Sequence, residues 1–259
     1  MKLTNDNYYS QKANREYMSV SQYKAFCKCE AAAMAEINGE WHRPDTTALL
    51  VGSYVDSYFE GTLPSFLEQH PEIFKRDGTL KADFQIAEII IERVNRDSLF
   101  MYFMSGEKQV IKTGELFGAP WKIKMDSYHP GKMIVDLKVM RSMDRIMGKS
   151  FVEHWGYDLQ LMVYKAIEGH NLETFIAAAT KQTPVDINII HIPNWRTDEL
   201  REEVRKRMPR ILSVKSGQSE PKRCEVCEYC RATKRLQKPI DFELVGLSAD
   251  EIDAVFGYT

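Results

Sequence analysis

The segment Glu115–Arg141 sets the tightest limit on what this 259-residue chain can become. Two runs of alternating apolar residues flank His129-Pro130-Gly131, and a Pro-Gly pair between such runs predicts a β-hairpin. The first run ends on Asp126. In the second, Ile134-Val135-Asp136-Leu137-Lys138-Val139, side chains alternate faces with period two, so Asp136 and Lys138 point the same way. Leu137 faces the opposite side and keeps its carbonyl available at the strand edge. An Asp-x-Lys inside an otherwise apolar strand is costly to desolvate without a use for it. Two carboxylates brought together by a hairpin, beside a carbonyl and a lysine, suit a hard divalent cation and an attacking water. A tight turn centred on Pro130-Gly131 sets Asp126 opposite Val135, so convergence of the two aspartates demands a one-residue offset or a bulge.

Hydrophobic residues make up 44% of the chain and charged residues 28%, the balance of a soluble globular protein with a substantial core. No apolar run approaches the ~20 residues that span a bilayer, and MKLTNDNYYSQ lacks the apolar stretch of a signal peptide. A cytoplasmic protein without membrane association is the expectation. The net charge of −2 is unevenly spread: Arg201–Lys238 holds twelve Lys/Arg against five Asp/Glu, a local +7 that leaves −9 on the remainder. Such a segment can face a polyanion, and a solvated helix face is the competing reading. The five cysteines are Cys27, Cys29, Cys224, Cys227 and Cys230. Their odd number and the tight Cys-x-x-Cys-x-x-Cys spacing argue against disulfides and for thiolates wrapped around one metal centre.

Hydrophobic periodicity predicts a helix over 18–39, with Cys29 inside it or at its end, and a second over 46–60, where Gly52 permits close packing. Asp56 and Glu60 share a face of that second helix and can approach a metal site from behind, or stand exposed. Residues 64–79 read as an irregular connection and 81–104 as one long amphipathic helix. Strands over 107–113, 120–126 and 133–140 form an antiparallel meander. A helix over 151–169 follows, with Phe151, Trp155, Leu159 and Val163 as its core stripe and Gln160 and Tyr164 on a neighbouring face. Strands at 174–178 and 185–192 lead to a helix opening at Thr197 and kinked at Pro209. Ser248 caps a short last helix with Asp250 and Glu251 in its first turn. The expected organisation is a single domain over 1–259: a helical front (18–104), an α/β core (105–215) and a cysteine-rich tail (216–259) packing back on the N-terminal helix.

Asp126, the strand Asp136-Leu137-Lys138 and the helix Gln160-Leu161-Met162-Val163-Tyr164 occur in the order and context of a known pattern. Gly52-Ser53-Tyr54-Val55-Asp56 stands where that pattern has Gly-x-x-x-His, and Ser19-Val20-Ser21-Gln22-Tyr23…Cys29 where it has Ser-x-Ser-x-Leu…Cys-Pro. On these residues the chain resembles the PD-(D/E)XK nuclease superfamily, especially its RecB-like and phage recombination exonuclease branch (RecE-like). The resemblance runs from Ser19 to Cys230. Met125 replaces the proline that names the motif, Asp56 replaces histidine, and Glu30 follows Cys29 where proline is usual.

The resemblance implies an α/β, restriction-endonuclease-like core, a mixed sheet with an antiparallel meander flanked by helices. It implies Asp126, Asp136, Lys138, Gln160 and Tyr164 as catalytic residues, with Mg²⁺ or Mn²⁺ held by Asp126, Asp136, the Leu137 carbonyl and Asp56. Cys29, Cys224, Cys227 and Cys230 would hold an iron–sulfur cluster, or Zn²⁺ given the tight spacing, with Cys27 left over. The activity implied is a metal-dependent DNA exonuclease of phage or prophage recombination type, hydrolysing phosphodiester bonds from duplex ends. Its partners would be DNA, contacted by Arg205, Arg207, Arg210 and Arg223, a single-strand annealing protein, and further copies of itself in an oligomer. Two other readings remain open: a catalytically silent nucleic-acid-binding module with the nuclease fold, and a structure-specific endonuclease.

Overall fold

The computed structural model describes residues 1–42, 44, 46–236, 239, 241–248, 251, 252 and 254. Lys238 at the end of the basic segment and Asp250 of the expected last helix lie outside the described residues. Ser248 does exchange hydrogen bonds with Glu251, its N–H donating to Glu251 Oε2 at 2.8 Å. The chain divides into two compact units: Met1–Arg43 with Phe117–Trp121 and Val204–Thr259, and Pro44–Leu116 with Lys122–Glu203.

The second unit is organised on a five-stranded mixed sheet, β1 (Glu107–Leu116), β2 (Ala119–His129), β3 (Met133–Met140), β4 (Glu173–Thr180) and β5 (Ile187–Ile192), in sequential order. β2 and β3 are antiparallel, β3 and β4 parallel, β4 and β5 antiparallel. The connection Pro130-Gly131-Lys132 closes on the pair His129↔Met133, with Gly131 at φ 70°, where a side chain would be strained. The next pairs are Tyr128↔Ile134 and Ser127↔Val135. That register, carried one step further, sets Asp126 level with Asp136, so the three-residue connection supplies the offset that a two-residue turn would have denied. β3 lies between β2 and β4 rather than at an edge, which explains why five of its first residues are buried in succession instead of alternating.

Two helices follow the sequence expectation at one end and break at the other. The amphipathic stretch 81–104 forms α6 (Ala82–Asn95) and α7 (Ser98–Phe103), because the Asp97 carboxylate accepts the Phe100 N–H at 2.9 Å and starts a new helix. The 151–169 stretch forms α8 (Phe151–Trp155) and α9 (Tyr157–Glu168), divided by Gly156 at φ 62°. That break resets the helical phase: Trp155, expected in the core, is 49% exposed, and α9 buries Leu161, Met162, Val163 and Tyr164. α4 (Thr47–Glu60) stands as predicted, with Thr46 as its cap. Residues 64–79 are more regular than expected, since α5 (Leu63–Gln69) starts on a proline at its first turn. Val51, Tyr54 and Val55 of α4, Ile90, Ile91 and Val94 of α6, and Val135 and Leu137 of β3 meet in one buried apolar cluster.

The first unit opens on α1 (Gln11–Glu16), and the predicted helix over 18–39 is two helices, α2 (Val20–Lys28) and α3 (Glu30–Asn38). Cys29 separates them in an extended conformation, φ −165° and ψ 109°. α10 (Asn194–Lys215) starts before Thr197 and continues through Pro209, and from Val204 onward it buries Val204, Met208, Ile211 and Val214 as one stripe. Its last residue, Lys215, donates to the Tyr17 carbonyl at 2.8 Å and to Gln22 Oε1 at 3.0 Å. α11 (Glu228–Ala232) closes the cysteine-rich stretch. Among the described residues no helix is long and apolar enough to cross a membrane.

Candidate active site and cysteine centre

Sheet register brings the motif residues together in the second unit. Asp136 is 2% exposed, and the Lys138 ammonium lies against its Oδ2. Gln160 Nε2 of α9 donates to Asp136 Oδ1 at 2.6 Å and to the Tyr164 hydroxyl at 3.1 Å, the i,i+4 pair expected from the sequence. Asp126 Oδ2 accepts the Leu137 N–H at 2.9 Å, and the Leu137 carbonyl accepts from Lys138 Nζ at 3.2 Å. Tyr157 covers Lys138 with its ring, the ammonium 5.2 Å from the centroid. The hydroxyl of buried Ser127 donates to the Phe103 carbonyl at 2.8 Å and accepts the Gly106 N–H at 3.0 Å, anchoring β2 beside Asp126.

The field in this site is strongly asymmetric. Burial, then the Asp136 charge, push the Asp126 carboxyl up to about 7 against the pull of Lys138 and the Leu137 N–H. Asp56 of α4 is carried well above the usual carboxylate range by burial and by Asp126, with Lys138 opposing and Glu60 and Asp136 adding. Lys138 moves the other way: burial lowers it most, but Asp136, Asp126 and Asp56 together outweigh burial and hold it above its ordinary value. Asp56 thus shares the electrostatic field of Asp126, Asp136 and Lys138.

One residue of the site carried no recognisable motif. Gln109 of β1 has φ 51°, uncommon for a non-glycine residue, and its Nε2 donates to Asp126 Oδ1 at 3.4 Å. Among the described residues its buried Oε1 has no hydrogen-bond donor, nor has Asp136 Oδ2 apart from its ion pair with Lys138. A lone glutamine in an alternating strand gives no periodic signal, and its role is visible only from the register that sets it beside Asp126. Carboxylates that repel one another, orphaned acceptor oxygens and a neighbouring carbonyl form a hard-oxygen donor set that fits Mg²⁺ or Mn²⁺.

The first unit gathers a second donor set of soft character. Cys29, Cys224, Cys227 and Cys230 place their sulfurs within 4.8 Å of one another, with Cys29 to Cys230 at 3.6 Å and Cys224 to Cys230 at 4.0 Å. Cys27 stands apart and exposed. The extended break at Cys29 turns its thiol toward the tail, and Cys227 caps α11. Backbone N–H groups aim at the sulfurs: Cys224 N–H at Cys29, Cys227 N–H at Cys224 and Cys230 N–H at Cys227, at 3.4, 3.3 and 3.4 Å. Burial raises Cys224, but donors from Val226 and Cys227 outweigh it and bring the thiol down to about 7, whereas burial and neighbouring sulfurs push Cys230 up to about 12. Thiols this crowded lose their protons together only around a cation. A tetrahedral ion with metal–sulfur bonds of about 2.3 Å separates its sulfurs by about 3.8 Å, which fits this spacing. A four-iron cluster, which seats each thiolate on its own iron, is the other centre that four such cysteines could hold.

Two arginines expected to meet phosphates are engaged within the protein. Arg210 grips Glu30 through two bonds of 2.9 and 2.7 Å and also donates to the Glu220 carbonyl at 2.8 Å. Arg223 bonds Glu225, the Cys230 carbonyl and Thr233. Arg205 and Arg207 are exposed on α10.

Residues 19–233 match the family described as "PDDEXK-like domain of unknown function (DUF3799)". No curated protein matches the sequence. Among solved structures, a protein of Eubacterium rectale described as "Putative exonuclease" is 54% identical, with a TM-score of 0.91 over 95% of this chain and 99% of its own. The structure of SSO0001 is 13% identical over 85% of this chain and 96% of its own, and its TM-score of 0.31 is too low to bear on the fold.

Proposed function

The chain belongs to the PDDEXK-like family DUF3799, and from that premise we propose that it is a metal-dependent DNA exonuclease that hydrolyses phosphodiester bonds from duplex ends. The observation that carries the reading is Asp136, held between the Lys138 ammonium and the Gln160 amide while Asp126 bonds the Leu137 N–H beside it. A name that includes exonuclease on a 54% identical structure supports it.

A divalent cation, Mg²⁺ or Mn²⁺, held by Asp126, Asp136 and the Leu137 carbonyl with Asp56 alongside, would polarise the scissile phosphate and acidify the attacking water. Lys138 stays protonated chiefly through its ion pair with Asp136, so it serves as a hydrogen-bond donor and positive charge for the phosphate rather than as a base. Gln160 fixes the Asp136 carboxyl by its Oδ1 and leaves Oδ2 facing the site, and Tyr164 orients the Gln160 amide. A 5′-phosphate product and a role in phage or prophage recombination, with resected strand passed to an annealing partner, rest on the superfamily resemblance. For the cysteine quartet we favour one Zn²⁺ over an iron–sulfur cluster, on the sulfur spacing alone.

Digestion of linear duplex DNA with Mg²⁺ tests the activity, with Asp136→Ala and Lys138→Ala in parallel. Release of nucleotides from the ends by the native chain, lost in both variants, is the expected result. No cleavage by the native chain, or unchanged cleavage in both variants, would overturn the catalytic reading. Nicking of circular DNA without attack on linear ends would replace it with a structure-specific endonuclease.

A further inference from the structure

Beside the cysteine quartet, within the first unit, lies a half-open cavity of about 560 Å³. Phe26 and Ile211 contribute apolar wall, and Cys29 and Cys224 line it with the metal-binding thiols. Lysines and arginines dominate the rest of the lining, and Glu30 is its one carboxylate. That carboxylate is fully engaged: Arg210 holds both oxygens and the Lys222 N–H donates to Oε2 at 2.7 Å. Lys28 and Lys206, from α2 and α10, are exposed, and their ammonium groups make no ion pair or hydrogen bond among the described residues. Two uncommitted ammonium groups beside a carboxylate that is already engaged offer contacts to an anion, on a wall whose negative charge otherwise sits on Cys29 and Cys224.

We propose that this cavity binds the phosphodiester backbone of a single DNA strand, with Lys28 and Lys206 as its phosphate contacts. The inference rests on the nuclease reading for the identity of the polyanion. A recessed cavity of this size accepts a nucleotide-sized segment of backbone, which a flexible single strand presents more readily than a stiff duplex. Lysine suits a backbone whose sequence is not read, since its compact charge follows phosphate oxygens without fixed geometry. Apolar wall beside the cations gives the sugar and base edges a surface to lie on. Arg210 and Arg223 build the wall instead of touching the strand, because their guanidiniums already brace Glu30 and the Cys230 carbonyl.

The test measures fluorescence anisotropy of a labelled oligothymidine of about 20 nucleotides, long enough to reach well beyond one such cavity. Binding is to full-length protein carrying Asp136→Ala, which prevents digestion. Adding Lys28→Gln and Lys206→Gln should weaken binding roughly tenfold and reduce the magnitude of the salt slope by about 1.4, the share of two single-strand phosphates. Lys28→Arg with Lys206→Arg should restore both. Lys12→Gln with Lys75→Gln, the same charge change elsewhere, should alter neither. Unchanged binding and slope in the Gln pair would overturn the inference. So would an equal loss in the control pair, or a greater loss for duplex than for single strand. Displacement of the oligonucleotide by dilute inorganic phosphate would also overturn it, in favour of a small-anion site. Were the cations there only to balance the thiolates, the Gln pair would lower metal content and leave DNA binding intact, again overturning it. A native chain that binds the strand through Lys28 and Lys206 but cleaves nothing would sink the nuclease reading and leave the cavity assignment standing. Cleavage with unaltered strand binding in the Gln pair would do the reverse.

Discussion

The Asp126 carboxylate of β2 accepts the backbone N–H of Leu137 in β3 at 2.9 Å, standing where a strand carbonyl would otherwise complete the ladder. A side chain thus does the work of backbone pairing at the point where the sheet opens between β2 and β3. The same contact fixes Asp126 beside Asp136 and leaves its second oxygen to Gln109.

Asp126→Asn keeps an acceptor for Leu137 and removes a buried charge that its neighbours disfavour. Since burial and Asp136 raise this carboxyl to about 7, its ionised form weakens the fold at neutral pH. The variant should melt at a higher temperature than the native chain while losing cleavage by roughly 10³-fold. A lowered melting temperature by calorimetry would show that the charge is stabilising after all.

Gln109→Ala should weaken metal binding or activity about 10- to 100-fold, the usual effect of deleting a group that orients a metal-binding carboxylate. Calorimetric titration with Mn²⁺ reads the affinity directly, apart from any turnover. Gln109→Gly should show the same affinity loss with better stability than the alanine variant, because glycine accepts φ 51° without strain. Native affinity in both variants would reduce Gln109 to a packing residue.

On the proposed zinc reading, purified protein should be colourless and contain about one zinc ion per chain. Cys230→Ser should release the metal and lower the melting temperature, whereas Cys27→Ser, at the exposed position, should change neither. Elemental analysis and an absorption spectrum decide the matter. A broad band near about 400 nm with iron in place of zinc would show that the sulfurs hold a cluster.

Glu168, with its side chain 1% exposed, is an acid-sensitive point of the fold. Burial raises its carboxyl, but bonds from Lys112, Tyr128 and His170 outweigh burial and bring it from 4.5 down to about 2. A depressed carboxyl adds stability that is complete above its unfolded value and disappears as pH falls toward the folded one. Stability should therefore decline between about pH 4.5 and pH 2, by on the order of 1 kcal/mol for this group once solvent screening of its ion pair is counted. Denaturant titrations at several pH values should show a shallower decline in Glu168→Gln, and identical slopes would exclude the assignment.

Much of this protein was legible in its sequence because the signals were local or periodic. The alternation through Ile134–Val139 and the Pro-Gly turn defined the hairpin, the i,i+4 spacing joined Gln160 to Tyr164, and the thiol spacing called for a metal. Periodicity failed where one residue breaks a helix without breaking its apolar pattern. Cys29, Asp97 and Gly156 each did so, and the last moved Trp155 out of the core.

The chain by itself determined which groups the site has: two aspartates and a lysine in a hairpin, a glutamine and tyrosine one helix later, and four cysteines at the two ends. Composition and spacing are properties of the covalent chain, and they survive without coordinates. Tertiary structure decided which atoms meet. The three-residue connection at Gly131 sets Asp126 level with Asp136, and the sheet order β1-β2-β3 brings Gln109 to Asp126. Packing of α3 against α10 commits Arg210 to Glu30, the fold of the cysteine-rich stretch commits Arg223 to the Cys230 carbonyl, and the ammonium groups of Lys28 and Lys206 are left without a partner among the described residues. Register and the choice of ion-pair partner depend on packing summed over many distant residues, and no single stretch of sequence contains that sum.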